Sequence, residues 1–129
     1  MPYVLDTHAL IWFLTSDNKL GKKALELLRR ADMGEETIII PTVVLAEIFY
    51  ICEKKKEPIR FIDILEKINE RSNYIVYDLN LNIILKLEEL NKIRELHDRI
   101  IIATAVLTDS EIITRDKNIR ESNYAEVVW

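Results

Sequence analysis

The chain has 129 residues, 49% hydrophobic and 31% charged, a globular balance that argues against disorder and supplies enough apolar mass for one core. A formal net charge of −4 argues against a general basic nucleic-acid binder, and the single Cys52 excludes an internal disulfide. No leader pattern is evident and no apolar run approaches bilayer length, so one soluble cytoplasmic domain, residues 1–129, is the expectation.

"YVLD" (Tyr3 to Asp6) is a short apolar run ending in a carboxylate, the pattern of a buried strand. "THALIWFL" continues it as an apolar helix that "TSDNK" breaks. Leu20, Ala24, Leu27, Leu28 and Ala31 recur at helical spacing, and Gly34 can close that helix. "TIII" (Thr37 to Ile40) is β-branched and reads as the second strand. Pro41 then leads into "TVVLAEIFYIC", a helix apolar nearly all round and therefore expected to be enclosed, with Glu47 in its middle. "EKKKE" (Glu53 to Glu57) ends it as a solvated C-terminus, its lysines suited to the helix dipole.

Pro58 fits the first turn of a following helix, with Phe61, Leu65 and Ile68 on its apolar face. "YIVYDL" is a third strand. Asp78 or Asn80 can cap a long helix on which Ile83, Leu87, Leu90 and Ile93 repeat. "HDRIIIATAVL" is a further helix and "EIITRD" a fourth strand. A helical turn and "EVVW" follow, the latter as a last edge strand. Strands alternating with helices indicate an α/β domain whose largely parallel sheet is covered on both sides.

In such sheets ligands bind at the carboxyl ends of the strands. Asp6 and Asp116 occupy that kind of position, Asp98 lies near the start of the "RIIIATAVL" helix, and Glu47 sits just over one turn in from Thr42. Each has a purely structural reading as well. Asp6 suits an Asx-turn, and Asp98 and Asp116 suit helix N-caps. Glu47 has the poorest structural excuse, since burying an ionised carboxylate costs several kcal/mol unless a cation or donors meet it. His8 and His97 lack ligand spacing and suit hydrogen bonding or the surface. Trp12 and Trp129 read as core or interface residues rather than base-stacking platforms.

Four clustered carboxylates repel one another unless a hard divalent cation sits among them. Mg²⁺ and Mn²⁺ prefer carboxylate and water oxygens. Such a site can hold a phosphodiester, lower the pKa of a water and stabilise the leaving oxygen, which is the chemistry of a nuclease. The cation also inverts the local sign, so an acidic protein can bind an acidic polymer. Arg99, Arg115, Lys117 and Arg120 flank two of the acids, either as phosphate contacts or as solvated surface charge.

Taken together, "VLDTHALIWFL", "PTVVLAEI", "HDRIIIATAV" and "IITRDKNI" resemble the PIN domain, and within it the VapC-type toxins of toxin–antitoxin modules. The resemblance spans essentially the whole chain. It implies a three-layer α/β/α sandwich around a mainly parallel sheet of four or five strands. It further implies an endoribonuclease dependent on Mg²⁺ (or Mn²⁺). Its acids, carried over by motif, are Asp6, Glu47, Asp98 and Asp116, as catalytic residues and metal ligands. Thr114 matches the Ser/Thr found two residues before the last acid, and Thr7 is a weaker supporting candidate. Some relatives carry a further acid where Lys117 and Asn118 stand here, which makes one-metal occupancy plausible. The resemblance also implies RNA as substrate, a homodimer, and a small antitoxin partner.

Other functions stay open. A haloacid-dehalogenase-type phosphatase needs a second Asp where His8 stands, and a phospho-receiver needs an acidic pair that "YVLDTHAL" lacks. A PIN-domain nuclease of RNA processing without an antitoxin, and a binding module with a vestigial acidic site, both remain compatible with these residues.

Overall fold

The computed structural model describes residues 1–129. Five strands form one parallel sheet: β1 (Tyr3–Leu5), β2 (Ile38–Pro41), β3 (Tyr74–Tyr77), β4 (Glu111–Ile113) and β5 (Val127–Val128), in the order β3-β2-β1-β4-β5. Parallel strands need long crossovers, and seven helices supply them. They are α1 (Thr7–Leu14), α2 (Lys22–Asp32), α3 (Thr42–Glu53), α4 (Phe61–Asn69), α5 (Leu81–Lys86), α6 (Leu96–Leu107) and α7 (Lys117–Ser122). The result is the expected three-layer α/β/α sandwich, with five strands.

Sequence explains which strands lie in the middle. Every residue of β1 and β2 is buried, as befits strands enclosed by neighbours on both edges and helices above and below. The edge strand β3 instead leaves Ile75 and Val76 exposed. A cluster of 32 buried hydrophobic residues fills the space between sheet and helices. No helix is long and apolar enough to cross a membrane.

The strand order creates a switch point. From β1 the chain moves to β2 and β3 on one side; the next crossover returns over the sheet to place β4 on the other side of β1. Connections therefore leave the carboxyl ends of β1 and β4 in opposite directions and open a crevice between them. β4 registers on β1 with Leu5 beside Ile113, so the residues just after each strand are neighbours.

Several expectations need correcting. α3 is not enclosed: Val44, Ile48 and Ile51 are buried, but Phe49 and Tyr50 are exposed on its other flank. Pro58 stands outside any helix, in the bend before α4. The long helix expected across Ile83 to Ile93 stops at Lys86, passes through a single 3₁₀ turn (Leu87–Glu89), and gives way to turns. Leu90 and Ile93 are still buried there. Asn80, rather than Asp78, caps α5, its Oδ1 accepting the Ile83 N–H at 3.1 Å. Gly34 does follow α2, at a φ of +82° that favours glycine.

Candidate active site

Four elements each bring one carboxylate to the crevice. Asp6 leaves β1 and caps α1: its Oδ1 accepts the Ala9 N–H at 3.0 Å. Asp116 follows β4 and caps α7 in the same way, its Oδ1 accepting the Ile119 N–H at 2.9 Å. The capping reading is therefore true of both, and it uses one oxygen of each. Asp98 lies in the first turn of α6 but is not its cap; Glu95 is, accepting the Asp98 N–H at 3.1 Å. Glu47 projects from α3. All four line one cavity of about 340 Å³, together with Thr7, His8, Trp12, Ile101, Arg115 and Trp129.

Two threonines hold two of the acids. The Thr114 hydroxyl donates to Asp6 Oδ2 across 108 residues of chain, while its oxygen accepts the Asp116 N–H at 3.0 Å. The Thr7 hydroxyl donates to Glu47 Oε1 at 2.5 Å. The carboxylate inside the apolar α3 thus meets a hydroxyl rather than a cation. Both threonines are buried, Thr7 at 3% and Thr114 at 1% exposure, so neither donor is lost to water.

Crowding shows in the proton affinities. Burial, and then the charges of Asp116, Glu95, Asp6 and Glu47, push Asp98 up to about 6. Asp6 is also raised, chiefly by burial, against the opposing hydrogen bonds from Thr114 and Ala9. His97, hydrogen-bonded at 3.0 Å to Glu95 Oε1, is pushed up by that carboxylate.

The donor set fits a hard divalent cation. It offers carboxylate oxygens with lone pairs to spare, those of Asp98 accepting no hydrogen bond from the protein, around a space that admits water. No three of these side chains converge as direct ligands on one point. An ion there would meet at most two carboxylates directly and the others through water, a coordination that Mg²⁺ accepts. Asp6, Asp98, Asp116 and Glu47 are the residues in reach of such an ion.

The basic residues divide. Arg115 lines the cavity, with its guanidinium 4.6 Å from the centroid of the Trp12 ring. Arg99 turns away: its Nε donates to the Ile93 carbonyl and its Nη1 to the Leu87 carbonyl at 3.4 Å. Lys117 stands on the surface, 3.8 Å from Glu121 and outside the cavity lining. Arg120 is exposed on α7. His8, Trp12 and Trp129, read from sequence as surface, core or interface residues, stand in the cleft wall. The i, i+4 spacing of His8 and Trp12 on α1 was a signal that they share a face; Trp129 carried none.

The sequence matches the family model of the PIN domain over residues 3–123. The chain belongs to the PIN-domain family. PIN domains are generally nucleases, and the acidic crevice occupies the place where an α/β sheet puts its ligand. No curated protein matches the chain in a sequence search. Among solved structures the chain is similar to VapBC2 of Rickettsia felis bound to a promoter DNA fragment, with 20% identity, 99% of this chain and 98% of that chain covered, and a TM-score of 0.75. A DNA-bound VapBC of Salmonella typhimurium aligns at 17% identity over 99% of this chain and 97% of that one, with a TM-score of 0.73. A toxin–antitoxin complex of Klebsiella pneumoniae gives 22%, 98% and 96%, and 0.66. These likenesses are ones of fold.

Proposed function

We propose that this PIN domain is a Mg²⁺- or Mn²⁺-dependent endoribonuclease of VapC type, the toxin of a toxin–antitoxin pair acting in the cytoplasm. The observation that carries the reading is the meeting of Asp6, Glu47, Asp98 and Asp116, from four separate elements, in one cavity at the sheet's switch point. A bound divalent cation supplies charge neutralisation, a water of lowered pKa and stabilisation of the leaving oxygen. Asp6, Asp98 and Asp116 would hold and orient such an ion, at most two of them directly and the rest through its waters. Glu47, fixed by Thr7, would orient the attacking water and take its proton. Arg115 binds a phosphate of the same strand. In-line attack then leaves a 5′-phosphate and a 3′-hydroxyl. No Cys, Ser or His nucleophile enters the scheme.

The toxin reading is supported by the fold likeness to VapBC complexes, and it brings a small antitoxin as partner and a homodimer as the working state. The exposed Phe49 and Tyr50 of α3 and Ile75 and Val76 of β3 are apolar surface available to such partners.

The test is cleavage of RNA by the purified chain with Mn²⁺ and with EDTA. Asp6→Asn and Asp98→Asn should each lose about a hundredfold or more of the Mn²⁺-dependent rate with unchanged circular dichroism. Full activity in both would reject the assignment. Growth arrest on expression, relieved by co-expressing the small neighbouring reading frame, separates a toxin from a processing nuclease.

A further inference from the structure

The cleft lining is of two chemical kinds. One is the four acids; the other is His8, Arg115 and Trp129, each packed against Trp12. Trp12 is the foundation of the second. It is 4% exposed, Arg115 lies over its face, and Trp129 meets it edge-on at 6.0 Å and 63°. His8 stacks obliquely on it at 5.4 Å and 47°. The surfaces presented to the cleft are those of His8, which is exposed, and Trp129, which is half-buried.

Trp129 is firmly seated. It follows β5, whose Val128 lies beside Ile113 and accepts the Thr114 N–H at 3.2 Å. On its other side a Cβ at Gly21 would stand only 2.6 Å from the Trp129 carbonyl carbon, so the glycine is what lets the two backbones approach. Three adjacent strand ends therefore deliver Asp6, the Thr114–Asp116 triplet and an indole to one opening. A cavity of about 340 Å³ is at the small end of ligand sites, on the scale of a single nucleotide rather than a duplex.

We propose that Trp129 and His8, with Arg115 held over Trp12, form a nucleobase subsite. One unstacked base of the RNA packs against these aromatic side chains while its phosphate meets Arg115. The inference rests on the nuclease reading for its ligand and deepens it. Stacking on aromatic side chains tolerates any base, since every base has a π-face. It requires a nucleotide free of its helix, as single strands and loops provide. The subsite thus selects unpaired RNA at the scissile position and makes little distinction of sequence there.

The chain holds two tryptophans, so Trp12→Phe leaves Trp129 as the sole indole. With EDTA present, adenosine 5′-monophosphate should quench its fluorescence saturably and ribose 5-phosphate should not. Equal responses, or none to the nucleotide, overturn the subsite. In cleavage assays on a short single-stranded RNA, Trp129→Leu and His8→Ala should raise KM by about tenfold or more, with a smaller effect on kcat. Trp129→Leu keeps an apolar group against Gly21, and His8→Ala changes an exposed residue, so one of the pair reports even if the other unfolds. A lowered melting temperature with unchanged KM makes Trp129 structural and sinks the idea. Asp6→Asn should keep the quenching and lose cutting. Quenching in a wild-type protein that never cuts RNA rejects the nuclease reading and leaves the subsite standing.

Discussion

Burial raises the proton affinity of Asp6, and the Thr114 hydroxyl and the Ala9 N–H oppose that rise by donating to its carboxylate. Thr114→Val preserves shape and removes one of those donors. It should lower the melting temperature by the equivalent of about 1–3 kcal/mol and weaken Mn²⁺ binding, measured by calorimetry, while Thr114→Ser retains both. Unchanged affinity in the valine variant would show the hydroxyl to be dispensable. Asp98 allows a test with pH. An unfolded Asp titrates near 3.9, whereas folding raises Asp98 to about 6. Between those values the folded state holds the extra proton, so this group makes stability fall as pH rises through the window from about 4 to 6. Asp98→Asn should stabilise the metal-free protein above pH 6 by on the order of 1–2 kcal/mol, after allowance for partial exposure, and change little at pH 4. Mn²⁺ at pH 7.5 should raise the melting temperature of the wild type far more than that of the variant. The meeting of the acids was legible in part: Asp6 and Asp116 stand at strand ends, Asp98 at the start of a helix, and Glu47 alone was an anomaly, a charge inside an apolar helix. Trp129 was not, because its place depends on β5 landing beside β4, and nothing local in "EVVW" records that.

At the scale of elements, the turn between α5 and α6 shows what periodicity cannot see. Ile83, Leu87, Leu90 and Ile93 repeat at helical spacing, and Ile83, Leu90 and Ile93 are indeed buried, yet the helix ends at Lys86. The Arg99 guanidinium, downstream on α6, donates to the Ile93 and Leu87 carbonyls, tying down a turn whose own backbone bonds are short-range, Leu90 N–H to Leu87 O and Ile93 N–H to Leu90 O, both at 3.1 Å. Arg99→Ala should therefore cost about 1–3 kcal/mol of stability by denaturant titration, without a specific loss of substrate affinity. Equal stability would mean water replaces the guanidinium. The opposite misreading came from α3, whose apolar sequence suggested enclosure while Phe49 and Tyr50 face outward. Hydrophobicity reports what a segment can bury, not whether a neighbour is there to bury it. Gly21 closes the N-terminus of α2 against Trp129. Gly21→Ala should destabilise by about 1–3 kcal/mol and loosen the indole, seen as a red shift in its emission.

Over the whole molecule, the central strand β1 pairs on one side with a strand far along the chain. β1 is complete by Leu5, but its partner β4 begins at Glu111, and the Asp6–Thr114 hydrogen bond spans 108 residues. A contact of that separation carries a large loop-closure cost and raises the contact order, which slows folding. During synthesis the first acid emerges early and the last only after Asp116 has left the ribosome. A nascent chain therefore carries an unfinished cleft whose first carboxylate lacks both its hydroxyl donor and its opposing acid. Whatever reaction the cleft performs is withheld until β4 and Asp116 have been synthesised, which leaves a co-translational interval in which a binding partner can reach the chain before it is armed.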